Sequence, residues 1–350
     1  MPTIALDALT TFARQVYEAA GTPATIAETV ARHQAGANLV GHDSHGVQLL
    51  PTYVDRIDKG HIKPTMDPVV VKETPTTLFV NGQWGFGPHV SEWTMRRLIE
   101  KARTTQVAIG SIREQSHVGR VAGYPCMATA EGFISMMMAD SGQSPKLVAP
   151  FGGREARLGT NPICIAFPSN LPGPVFIDMA TSAVANGKLD VARAKGLPIP
   201  LGWLVDKDGK PTTDPEAQKK GGVMLPLGGG EAHKGYGLSF AVETLAAILP
   251  GLGFGVDPLG RHNDGVFMLV MNPDAFREGG DFKSEVDEFA KYLKATPTAE
   301  GFDEVLYPGE IEYRVSQVRS RDGIPIDNTT WKRLQGVAER FSVPLSGADS

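Results

Sequence analysis

The stretch VAIGSIREQSHVGRVAGYPCMATAEGFISMMMAD, residues 107–140, decides the fold class. VAIGSI is short, apolar and rich in β-branched residues, so it reads as a strand. REQSHVG reads as a loop, RVAGYPCMATAEG as a helix, and FISMMMAD as a buried strand. Strand, helix and strand in succession make an α/β unit. The same stretch places His117 in the loop just before the helix. The run Met136 to Met138 reads as strand core.

The flanks extend this pattern. Leu9, Phe12 and Val16 recur at helical spacing after Asp7, a candidate cap, and Gly21 ends that helix. Thr22-Pro23 opens a second helix, running through Ile26, Val30 and Leu39 to Gly41. A third follows, with Val47, Leu50, Val54 and Ile57 on one face and Pro51 near its first turn. VVVKE (69–73) and TLFV (77–80) read as strands, and residues 89–104 as a helix. ICIAFP and VFIDMA are joined by a link too short for a crossover helix, so the pair is expected to be antiparallel. GWLVDKDGKPTT reads as a hairpin, GVFMLVMNP as a strand, and IEYRVSQVR as a further strand before a final helix from Asp327. GYGLSFAVETLAAILPG is expected to be a helix with Leu238, Ala241, Val242, Leu245 and Leu249 on one face. The expected fold class is α/β: a mixed, largely antiparallel sheet with flanking helices plus a helical N-terminal unit.

Composition sets further limits. A chain of 350 residues exceeds the size at which one core usually stops growing, so two structural units are expected. The formal charge is -5 and no basic block is present, which argues against nucleic acid and anionic membrane surfaces as partners. No stretch approaches membrane-spanning length, and the N-terminus lacks the pattern of a signal peptide. Cys126 and Cys164 form no CxxC pair, and a reducing cytoplasm is the expected compartment.

Several familiar motifs are missing. The nearest approach to G-x-G-x-x-G, GLGFGV at 251–256, lacks its third glycine and follows a helix. No P-loop is present. HDSH at 42–45 could offer two imidazoles, but no HExxH and no third ligand accompany it, so no metal is expected. DKDGK at 206–210 has the wrong spacing for a calcium loop and reads as a turn. Ser44 beside His45 leaves open a hydrolase or lyase without a redox cofactor, although no G-x-S-x-G elbow surrounds either.

Three glycine-flanked basic turns remain: HDSHG at 42–46, SHVGR at 116–120 and EAHKG at 231–235. Imidazole titrates near neutrality and suits the transfer of one proton per turnover. Helix N-termini with glycine and Arg120 favour an anion. Each turn taken alone is explained by an ordinary loop; three together point to a site. Asp178, ending VFID, is either a helix cap or an acceptor for ribose hydroxyls.

Taken in order, GHDSHGV, SHVGRVAGY, APFGGREARLGTNP, DMATSA, EAHKGYGL, PGEIE and DGIPI, residues 41 to about 326, resemble the malate/L-lactate dehydrogenase family unrelated to the Rossmann enzymes. Within it the chain looks most like the hydroxycarboxylate dehydrogenase B branch. The resemblance implies a non-Rossmann cofactor fold and reversible hydride transfer between NAD(P)H and a 2-oxo acid, giving a 2-hydroxy acid. NAD is the expected cofactor, with NADP as the alternative, because Asp178 at a ribose 2′-hydroxyl would repel a 2′-phosphate. The resemblance also implies a homodimer. The expected division is a helical unit, 1–72, joined by the segment 305–350, and a cofactor-binding α/β domain, 73–304.

Carried over, His117 and His45 are the catalytic pair: His117 is the proton donor and acceptor at the carbonyl oxygen with His45 beside it at cofactor or substrate, or the two roles are exchanged, since family members are described both ways. Gly119, Arg120 and Val121 match the cofactor loop. Asp178, Met179 and Ala180 match the cofactor strand end. His233, Lys234, Asn263, Gly309 and Glu310 match further cofactor positions. Ser44, Gln48 and Asn161 are expected at the substrate. Several members carry an arginine shortly after DSHG that grips the substrate carboxylate; here those positions are Gln48 and Leu49.

Overall fold

The computed structural model describes residues 1–140, 145–257, 260–277 and 281–346. Among them, seven strands form the main sheet. Their order is Val69–Glu73, Thr77–Asn81, Val107–Arg113, Gly265–Met271, Ile134–Asp140, Ile163–Phe167 and Val175–Met179. Every neighbouring pair is antiparallel except Thr77–Asn81 with Val107–Arg113. The expected mixed, largely antiparallel sheet is therefore present, and so is the antiparallel pair 163–167 with 175–179.

The two strands of the 107–140 unit are not neighbours. Gly265–Met271 lies between them and pairs with both, Val266 facing Ile112 on one side and Ala139 on the other. Its buried and partly exposed residues alternate, as expected for a pleated strand with core on one face. The insertion has a local consequence. The residues leading into this strand must run alongside the residues leaving Val107–Arg113. His262–Asp264 are thereby brought beside Gln115–Val118, and the Asp264 amide donates to the Gln115 carbonyl at 3.1 Å.

A helix over Gly87–Thr105 covers the sheet with Val90, Met95, Leu98, Ile99 and Ala102, spaced to face one way. Burying one such aliphatic side chain contributes roughly 1.5–3 kcal/mol. A second core belongs to the chain ends. Leu6–Ala19 and Ala24–Leu39 pack together through Leu9, Phe12, Val16, Ile26 and Val30. Leu334 and Val337 of the helix Asn328–Phe341 join them, and Thr3–Ile4 pairs antiparallel with Ile324–Pro325. Asp327 caps that last helix by accepting from the Thr329 and Thr330 amides. Asp7 lies one residue inside its helix instead of capping it, and the second helix is preceded directly by Pro23. Asp206 accepts from the Asp208 and Lys210 amides at 2.9 Å each, which makes DKDGK a turn closed by its own side chain.

Two expectations are corrected. IEYRVSQVR is part of a helix, Glu310–Asp322. Its alternation of apolar and polar residues is not a burial pattern, because Ile311 and Val318 are exposed. Glu310 and Glu312 in the first turn and Arg319 and Arg321 in the last suit the helix dipole. The helix His233–Glu243, extended by the wider turn Thr244–Ile248, buries only part of the expected face: Val242 fully and Ala241 and Leu245 in part. It buries Gly235, Ser239, Val242 and Glu243, while Leu238, Phe240, Ile248 and Leu249 are exposed. Among the described residues, no helix is long and apolar enough to cross a membrane.

Candidate active site

The DSHG turn is held by its surroundings. Arg319 grips both oxygens of Asp43, at 2.7 and 3.1 Å. Asn38 donates to Asp43 at 2.7 Å and accepts from the Val47 amide at 2.8 Å. A Cβ on Gly46 would stand 2.1 Å from Asn38 Oδ1, so no other residue fits there. Asp43 and Gly46 thus form the frame that presents Ser44 and His45. Ser44 Oγ lies 3.0 Å from His45 Nδ1, a bond that fixes the ring and leaves Nε2 for other work.

His117 reaches the same place from the opposite core. Its ring stacks on His45, with centroids 5.7 Å apart and planes 16° from parallel. Tyr53, from the helix Leu50–Asp58, places its hydroxyl 2.7 Å from His117 Nδ1 and 3.3 Å from the His117 carbonyl. That hydroxyl can donate to Nδ1, or accept from it while donating to the carbonyl, so either tautomer is accommodated. The His262 ring meets His117 edge-on at 5.1 Å. His262 Nε2 lies 2.7 Å from Asp264 Oδ1, and Asp264 Oδ2 accepts from the Val118 amide at 2.9 Å. Donor atoms of His117, His262 and Asp264 fall within 4.8 Å of one another. Contacts from Tyr53, Val118 and the two imidazoles already engage this group, an arrangement suited to handling a proton.

Burial pushes His117 well below the ordinary imidazole range, and the Asp264 charge opposes it. Burial likewise lowers His45 to about 4, helped by His42 and Arg120. Both rings are therefore neutral bases at neutral pH until an anion or a proton-bearing partner joins them.

Beside the histidines lies the loop 119–123. Gly119 has φ +74°, and a Cβ there would stand 2.6 Å from His33 Nε2. The Arg120 amide donates to that nitrogen at 3.1 Å, and His33 stacks on Tyr124. Asp178, at the end of Val175–Met179, accepts from the Ala122 amide at 2.9 Å, next to Val121. Burial raises its carboxyl above the ordinary range, against the pull of the Ala122 amide and Arg120. Met179 and Ala180 follow, half-buried. The Arg120 guanidinium lies over the Phe176 ring, and Gly309 packs against the same ring. The expected cofactor residues 119–121, 178–180 and 309 are thus gathered along one strand end.

Other expected residues have different surroundings. Glu310 is buried in a cluster with Lys294, Arg314 and the Tyr307 amide, which anchors its helix. Asn161 donates to Glu243 and to the Ser239 carbonyl, tying strand to helix. His233 and Lys234 are exposed at a helix start and pair with Glu231. Gln48 sits half-buried on the turn Val47–Leu49.

A nicotinamide nucleotide fits this lining. Arg120 Nε and Asn263 Oδ1 are buried and, among the described residues, have no hydrogen-bond partner. Buried polar groups rarely stay unpaired, and these two belong to the positions expected to meet a cofactor.

The sequence profile described as malate/L-lactate dehydrogenase matches residues 4–335. The chain belongs to the malate/L-lactate dehydrogenase family. It is 36% identical to an L-lactate dehydrogenase of Cupriavidus necator, over 99% of each chain. It is 33% identical to hydroxycarboxylate dehydrogenase B of Escherichia coli, over 96% of this chain and 93% of that one. The solved malate dehydrogenase of Entamoeba histolytica superposes with a TM-score of 0.91 at 30% identity, covering 98% and 99% of the two chains. Membership of the malate/L-lactate dehydrogenase family makes this protein a hydroxycarboxylate oxidoreductase, and nothing supports a hydrolase. Family dehydrogenases imply a nicotinamide cofactor in general.

Tyr53, His262 and Asp264 were not singled out by sequence reasoning. Tyr53 carried a signal, since it lies three residues after Leu50 on the buried helix face. His262 and Asp264 flank Asn263, but their place beside His117 depends on the strand insertion, which no local pattern announces.

Proposed function

We propose that this protein reversibly reduces a 2-oxo acid to a 2-hydroxy acid with NAD(P)H, and that His117 is its proton donor and acceptor. The observation that carries the reading is the stacked pair His45–His117 with Tyr53 bound behind it. When bound, the nicotinamide supplies hydride to C2 of the oxo acid, or takes it in the reverse direction. His117 gives a proton to the carbonyl oxygen in reduction and accepts it from the hydroxyl in oxidation. Tyr53 keeps the ring oriented in both states, and His45 lines the other side. General acid–base catalysis by such a group contributes ~10²–10⁴-fold.

Arg120, Gly119, Val121 and Asn263 would hold the cofactor together with Met179, Ala180, His233, Lys234 and Gly309. Asp178 supports NAD over NADP, because a carboxylate at this strand end with Glu312 nearby disfavours a 2′-phosphate. Ser44, Gln48 and Asn161 remain the proposed substrate side. Gln48 and Leu49 stand where the resemblance expects an arginine for the substrate carboxylate, so either the acid is larger or less charged than malate or another group binds its carboxylate.

The homodimer is proposed on the exposed apolar residues Leu238, Phe240, Ile248 and Leu249, a face that one copy leaves in water. The free thiols of Cys126 and Cys164 support a reducing cytoplasm. The test is absorbance of NADH and of NADPH with pyruvate, oxaloacetate and phenylpyruvate. Oxo-acid-dependent loss of signal is expected. Cofactor binding without turnover across such a panel would overturn the reading.

A further inference from the structure

We propose that Asp264 is a positioning residue of this site, holding the His117 loop from both sides and serving as the counter-charge for a protonated His117. The inference rests on the reading of His117 as the acid–base group. Asp264 is 3% exposed, yet its polar atoms reach three parts of one loop and its neighbour. Its amide donates to the Gln115 carbonyl, Oδ2 accepts from the Val118 amide, and Oδ1 faces His262 Nε2 at 2.7 Å. Residues 115 and 118 bracket His117, so this one side chain and its amide fix the backbone on which the imidazole rides.

Anchoring alone does not need a charge. An asparagine could accept from the Val118 amide equally well, and a buried carboxylate is costly unless it is paired. The charge faces two imidazoles, His262 at 2.7 Å and His117, whose donor atom lies within 4.8 Å of it. The titratable groups facing His117 are His45 from the DSHG turn, Tyr53 and Arg56 from the helix Leu50–Asp58, and His262 and Asp264 from the approach to the central strand. Of these five, Asp264 alone is an anion. Burial pushes the Asp264 carboxyl up, but His262, His117 and the Val118 amide pull it down further, so it stays ionised. Its field favours the imidazolium that His117 must become when it takes a proton from a hydroxy acid.

The test is kcat/KM against pH in both directions for Asp264→Asn, with pyruvate or oxaloacetate and NADH or NADPH, and with lactate or malate and the oxidised cofactor. Asparagine keeps the Val118 bond and removes the charge. The limb due to His117 is expected to move toward acid by about one pH unit in both directions. Reduction on the alkaline side then falls about tenfold, while oxidation on the acidic side rises. An equal loss at every pH with an unmoved limb would assign Asp264 a merely structural role and overturn the proposal. Should Asp264→Asn not fold, His262→Gln removes the imidazole competing for the same carboxylate, and its limb is expected to move toward alkali; an unmoved limb there overturns the proposal equally. If the wild type turns over no 2-oxo acid, the underlying reading falls and this one with it. If the wild type is active and the limb stays, only the role of Asp264 falls.

Discussion

His45 and His117 come from different cores of the molecule, and their rings nevertheless stack 5.7 Å apart, 16° from parallel. Two imidazolium ions cannot share that spacing without strong repulsion, so the pair holds one proton at most near neutrality. One ring can then exchange a proton with substrate while the other stays neutral beside it.

Replacing His117 by alanine is therefore expected to lower turnover ~10²–10⁴-fold. Cofactor affinity, measured by quenching of protein fluorescence, should change little. Unaltered turnover would remove His117 from the chemistry.

Tyr53→Phe deletes the hydroxyl that lies 2.7 Å from His117 Nδ1. A net hydrogen bond of this kind is worth about 1 kcal/mol, so kcat should fall roughly fivefold or more, with a similar loss of stability. Steady-state kinetics and a thermal melt read the two effects separately.

Acid should unfold the protein through its buried imidazoles. His33 is lowered to about 3, chiefly by burial and then by Arg120, and its Nε2 must stay unprotonated to accept from the Arg120 amide. His45 is lowered to about 4. Their folded values lie below the unfolded value of about 6.5, so the unfolded chain binds more protons between these limits. Stability is full above about pH 6.5 and is lost as pH falls toward 4 and 3. The slope is at most about 1.4 kcal/mol per pH unit for each ring, less where solvent reaches it. Urea melts across this range should show the slope, and His33→Gln should flatten it.

Gly46→Ala would drive a methyl group into Asn38, which stands 2.1 Å from the position of its Cβ. A loss of about 1–3 kcal/mol is expected from the clash, with activity falling further because Ser44 and His45 move with the turn. Calorimetry and a single-substrate assay together check this.

Phe240 is 62% exposed and belongs to the apolar patch on which the homodimer is proposed. Phe240→Glu should convert a dimer to a monomer in light scattering. A dimer unchanged by the substitution would move the contact elsewhere.

The first helix was readable because Leu9, Phe12 and Val16 repeat at a spacing that only a helix turns to one side. The strand misreading at 311–319 arose because Ile311, Tyr313 and Val315 alternate by chance on a helix that Glu310 and Arg314 hold through charge. On the helix from His233, size misled: small residues such as Gly235 and Ser239 pack inward, where close approach matters more than hydrophobicity. His45 and His117 could be named from their turns. Asp264 could not, since its role exists only where two distant segments run side by side.

The strand Gly265–Met271 completes a sheet whose other members were made much earlier on the ribosome. Until it emerges, Val107–Arg113 and Ile134–Asp140 each lack a partner along one edge, and such edges invite chaperones or aggregation. His262 and Asp264, which complete the cluster around His117, arrive with that same segment. A chain stopped before His262 would therefore present both unpaired edges and lack the residues that brace the His117 loop.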